Sequence, residues 1–127
     1  QVHGNWYGAP LDQIRDALTE GTDVLLKIDV QGAIQVRRRI PQAVFVFLAP
    51  ASVDDLLERL RARHTESPEE LERRVRDARF EMEQMRQYDY CVVNREDDLD
   101  QAVSDVACII SAERLRTNRQ PIDLSAR

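Results

Sequence analysis

Along this chain, stretches with apolar residues spaced three and four apart alternate with short runs that are apolar almost throughout. Pro10 suits a first helical position, Leu11, Ile14 and Leu18 follow at helical spacing, and Gly21 predicts the stop. Val24 to Asp29 (VLLKID) predicts a short strand covered on both faces. Gly32 to Arg39 predicts a short helix ended by Pro41. Ala43 to Ala49 (AVFVFLA), closed by Pro50, predicts a strand deep within a parallel sheet.

Two helix starts follow. Ser52-Val53-Asp54-Asp55 opens one, with Val53, Leu56, Leu57 and Leu60 on one face. Ser67-Pro68-Glu69-Glu70 opens the other, with a capping serine, proline at the first position and glutamate three residues on. Leu71, Val75, Ala78, Met82 and Met85 then give a long helix with a narrow apolar stripe and a charged remainder. Tyr90 to Val93 (YCVV) predicts a third strand. Asp98 to about Arg116 predicts a closing helix on Leu99, Val103, Val106 and Ile110, and the polar tail from Thr117 is expected to fray.

This order predicts an α/β fold with parallel strands joined by right-handed crossovers. Three strands are few for a parallel sheet that must be covered on both faces, so part of the sheet is expected to be missing.

Composition narrows the function. The 127 residues suit one compact domain, and 43% apolar against 32% charged residues is a soluble globular balance. A net charge of −5 argues against a non-specific grip on nucleic acid. No run reaches the roughly 18 apolar residues that span a bilayer, so no membrane partner and a cytoplasmic location are expected. Cys91 and Cys108 fall in apolar patterns and are expected to be small core residues. His3 and His64 lack neighbouring ligands, so no protein-built metal site is expected. Lys27 is the only lysine and follows Leu26, which excludes a GxxxxGK[ST] phosphate loop from these residues.

Ligands of parallel α/β sheets gather beyond the carboxyl ends of the strands, here Asp29 to Gly32, Pro50 to Ser52 and Asn94. Asp29 and Gly32 offer a carboxylate and a close backbone approach to phosphates or a hydrated metal. They serve equally as a helix-start carboxylate and a packing glycine. Asn94 can instead cap a turn before the last helix. Seven arginines, at 59, 61, 63, 73, 74, 76 and 79, occupy two helices and their connection. Their planar donor forks suit phosphate oxygens, but interleaved glutamates and aspartates also fit a solvated face of ion pairs. Arg37, Arg38 and Arg39 suit the negative end of a helix dipole.

Taken together, HGNWYG (3 to 8), LLKIDVQGA (25 to 33), RLRARHTES (59 to 67), ERRV (72 to 75) and YDYCVVN (88 to 94) resemble the guanylate kinase family, in order and with family-like spacing. The resemblance runs from Val2 to about Arg116 and covers the carboxyl-terminal part of the family pattern. It implies an incomplete P-loop NTPase-like three-layer α/β fold whose parallel sheet lacks its P-loop strand. It also implies phosphoryl transfer from ATP to GMP with magnesium, giving ADP and GDP. Under it, Tyr7 and Asp29 resemble GMP-binding residues. Arg63 and Arg74 resemble the lid arginines that bridge the two nucleotides' phosphates in catalysis, and Arg59 and Asn94 resemble residues that hold the adenine end of ATP. The implied organisation is a remnant of the GMP-binding lobe in 1–22, core in 23–52 and 81–116, lid helices and their connection in 53–80, and a flexible tail in 117–127.

Ala9 stands where the family usually has a hydroxyl residue, and Lys27 replaces an acidic residue two before Asp29. In an extended strand the two share a face, so they can pair. ARHT replaces GRGT in the lid connection, and Arg95 and Glu96 look inserted after Asn94. The resemblance thus implies an amino-terminally truncated kinase, inactive as an isolated chain, with uncovered sheet edges that invite self-association. The competing reading is a guanylate-kinase-like interaction module that has lost catalysis.

Overall fold

The computed structural model describes residues 11–62 and 67–124, which form two compact units, one of 11–43 with 118–124 and one of 44–62 with 67–117. In the first unit, α1 spans Leu11–Thr19 and α2 spans Val30–Arg39. Helix α1 stops as expected. Gly21 takes φ 83°, the Thr22 N–H reaches the Ala17 carbonyl at 2.9 Å, and the Gly21 N–H reaches Leu18 at 3.0 Å. This paired closure needs a left-handed residue, which glycine adopts without a Cβ penalty. Helix α2 begins two residues earlier than the sequence suggested, because Asp29 caps it: Oδ1 accepts the Gly32 N–H at 2.8 Å. Three arginines close its last turn, where their charge opposes the dipole.

Residues 24–29 correct the expectation of a doubly covered strand. Leu26 and Ile28 are half-buried, whereas Leu25, Lys27 and Asp29 are exposed, so the extended alternation is present. The ladder is not. Among the described residues no neighbouring strand takes up the segment's N–H and C=O groups, and Leu25 is 79% exposed. Lys27 and Asp29 share the outer face as expected, but they make no ion pair among the described residues.

The second unit holds β1 (Val46–Ala49), α3 (Val53–Ala62), α4 (Pro68–Glu83), a 3-10 turn (Gln84–Gln87), β2 (Tyr90–Val93) and α5 (Leu99–Arg114). The strands pair in parallel, with Val46 opposite Tyr90 and Ala49 opposite Val93. The sheet is two-stranded among the described residues, rather than three-stranded. Asp89 aligns it: its carboxylate accepts the Phe45 N–H at 2.8 Å while its own N–H donates to the Phe45 carbonyl at 2.9 Å.

Register partners in a parallel pair point to the same side, which makes the covering of this sheet diagonal. On one side Phe47 is buried and its partner Cys91 is exposed. On the other Val92 is buried and its partner Leu48 is 57% exposed. Tyr88 packs edge-on against Phe47, with ring centroids 5.1 Å apart, and covers the first side over β1. Helix α5 packs on β2, where the Tyr90 hydroxyl donates to the buried Glu113 carboxylate. At these two central pairs each side is therefore covered over one strand only. That corrects two expectations: β1 is not deep within a sheet on both faces, and Cys91 is not a core residue.

Helix α4 follows its sequence closely. Ser67 Oγ accepts the Glu70 N–H at 3.2 Å with Pro68 in the first turn, and Leu71, Val75, Ala78 and Met82 form a half-buried stripe, continued by Met85 in the 3-10 turn. Helix α5 departs from it. Ala102, Val106, Ile110 and Glu113 face inward, while Leu99 and Val103, on the flank of this sector, are about 60% exposed. Cys108 lies two residues beyond Val106, a half-turn away from the packed side, so it too is exposed rather than in the core. No described helix is long and apolar enough to cross a membrane.

Candidate functional site

The carboxyl ends of β1 and β2 are tied together by the Asn94 N–H, which donates to the Ala49 carbonyl at 2.7 Å. Pro50, which has no N–H to donate, follows β1, and Ser52 then caps α3 by accepting the Asp55 N–H at 3.1 Å. This short connection starts α3 beside the strand ends. Two turns along it, Arg59 reaches back so that its Nη2 donates to the Asn94 carbonyl at 3.2 Å. The Glu96 carboxylate stands 3.7 Å from Arg59 Nε, and that Nε is buried without a hydrogen-bond acceptor among the described residues.

Beyond Asn94 the backbone turns sharply. The Asp98 N–H donates to the Arg95 carbonyl at 3.2 Å, and the Asp98 carboxylate then accepts the Gln101 N–H at the start of α5. The capping group of the last helix is thus Asp98, where the sequence placed its start. Asn94 presents backbone to Arg59.

A family model described as guanylate kinase matches residues 1–113. The chain belongs to the guanylate kinase family. Among solved structures it is similar to the guanylate kinase from Anaplasma phagocytophilum, at 29% sequence identity and a TM-score of 0.67, over 87% of this chain and 52% of that one. The chain therefore spans about half the length of that kinase. Its fold is guanylate-kinase-like α/β, with a small parallel sheet and several helices.

Within this guanylate kinase fold, Arg59 and Asn94 are brought into direct contact. Asp29 lies in the other unit as the cap of α2, and its exposed carboxylate already accepts one N–H. Arg74 is exposed on α4. Tyr7 and Arg63, and with them Ala9, lie outside the described residues. On the same helix Arg76 pairs with Glu72 at 3.4 Å, so part of the arginine series does serve the solvated ion-pair face. Glu96 was not read as a site residue from sequence. The only signal for it was its place in an apparent insertion directly after Asn94.

Among the described residues no three His, Cys, Asp or Glu side chains converge on a possible metal position.

Proposed function

We propose that this chain is the acceptor, lid and adenine-side part of a nucleoside monophosphate kinase that transfers the terminal phosphoryl group of ATP to GMP. The carrying observation is the Arg59–Asn94 contact at the carboxyl end of parallel strands, in a chain of the guanylate kinase family. In this reading Arg59 and Asn94 hold the adenine end of ATP, and Tyr7 and Asp29 hold GMP. Arg63 and Arg74 bridge the donor and acceptor phosphates and neutralise charge on the transferring group. Magnesium, bound to the ATP phosphates, spreads and offsets their charge. The chain's own task is positioning, which suits guanidinium forks better than a nucleophile.

These 127 residues contain no phosphate loop, so on their own they are expected to bind nucleotide without transferring phosphoryl groups. GMP-dependent ADP formation by the purified chain in a coupled assay would contradict this. Among the described residues the outer edges of β1 and β2 are unpaired, which favours self-association, read directly by sedimentation velocity. The division of labour is tested by titration calorimetry. Asp29→Asn keeps a helix-capping side chain but loses the charge, and is expected to weaken GMP about tenfold while leaving ATP unchanged. Arg59→Ala is expected to do the reverse. If neither variant is selective, the assignment fails. In that case exposed Leu99 and Val103 on α5 favour the interaction-module reading.

A further inference from the structure

Arg59 carries a donor that no acceptor among the described residues takes up. Its Nη2 is fixed on the Asn94 carbonyl, yet its buried Nε has no acceptor, and leaving such a donor unmet is costly unless a ligand completes it. Glu96 does not complete it. At 3.7 Å its carboxylate is beyond hydrogen-bond reach of Nε, but it is near enough to offset the guanidinium charge. The Arg95–Asp98 turn delivers it there, closed by the Asp98 N–H on the Arg95 carbonyl and followed at once by the cap of α5. An incoming acceptor therefore meets a good donor beside a carboxylate. A ring nitrogen or hydroxyl is welcome in that setting. A multiply charged phosphate meets repulsion.

We propose that Glu96 is a specificity-determining residue that makes Arg59 read the neutral, base end of a nucleotide and reject phosphate at this position. The proposal rests on the reading of Arg59 as a nucleotide contact. It adds a role for a side chain that touches Arg59 from the loop after β2.

The test follows the Arg59 Nε–H resonance of the 127-residue chain in 15N NMR spectra at low salt. The resonance is identified by its loss in Arg59→Lys. Adenosine and inorganic tripolyphosphate are titrated separately into the parent chain and into Glu96→Gln. Adenosine is expected to shift the resonance saturably in both, with Kd values within about twofold. Tripolyphosphate is expected to bind about fivefold more tightly to Glu96→Gln than to the parent, a size suited to a charge on a side chain that is 82% exposed. An unchanged ratio of the two Kd values in Glu96→Gln overturns the role of Glu96 and leaves Arg59 as a nucleotide contact. A resonance that neither ligand moves in the parent overturns the reading of Arg59 itself, and the role of Glu96 with it.

Discussion

Residues 24–29 and 44–49 are two apolar runs of almost the same kind, and they end differently. Both alternate in burial, yet only the second becomes a strand among the described residues, Val46–Ala49, because Tyr90–Val93 lies beside it and takes up its backbone groups. An apolar β-branched run specifies a conformation and an inward face. The ladder is a property of two segments, and buried apolar surface follows the partner rather than the composition.

That contrast breaks first at its packed end. Phe47→Ala is expected to destabilise the 44–117 unit by about 3 kcal/mol or more, since it empties the position against Tyr88. Leu25→Ala, at a similar apolar position of the other run, is expected to change stability by less than about 0.5 kcal/mol. Urea denaturation of the two variants measures both, and equal losses would show that residues 24–29 are paired after all.

The next largest effects come from the helix ends. Gly21→Ala forces a side chain into the left-handed region and is expected to cost about 1 kcal/mol, and Ser67→Ala removes a cap of about the same worth. Thermal melts read each one, and a neutral result at either position would mean that the end is held by something else.

The smallest effect is a pH dependence at the packed strand. The hydrogen bond that Tyr90 donates to Glu113, then its burial and the nearby Glu113 charge, raise the Tyr90 hydroxyl above its ordinary value of 10.0. A raised acid binds its proton more tightly in the folded chain. Its stabilisation is therefore fully present below pH 10 and fades as the pH climbs from there through the folded-state value. Tyr90→Phe is expected to lose this alkaline slope. The same slope in the variant would assign it to another group.

The sequence was most informative where a signal is local. The stop of α1, the start of α4, the stripe Leu71–Val75–Ala78–Met82 and the limits of β2 all follow from caps, proline, glycine and periodicity. It was least informative where burial depends on a neighbour. Leu48, Leu99, Val103, Cys91 and Cys108 carry core-like chemistry and remain exposed, because nothing in their own spacing says which flank is covered. The site divides in the same way. The motif pointed to Arg59 and Asn94, and the structure brings them together, through the Asn94 backbone rather than its side chain. Glu96 became visible only when the Arg95–Asp98 turn set it beside Arg59.

The claim that the carboxyl ends of β1 and β2 form the adenine side of a nucleotide site is tested most directly by ATP titration with backbone amide shifts recorded along the chain. The account expects the largest shifts at Arg59 and at 94–98, abolished by Arg59→Ala. Saturable ATP binding whose shifts avoid those residues, or that survives Arg59→Ala unchanged, would contradict it.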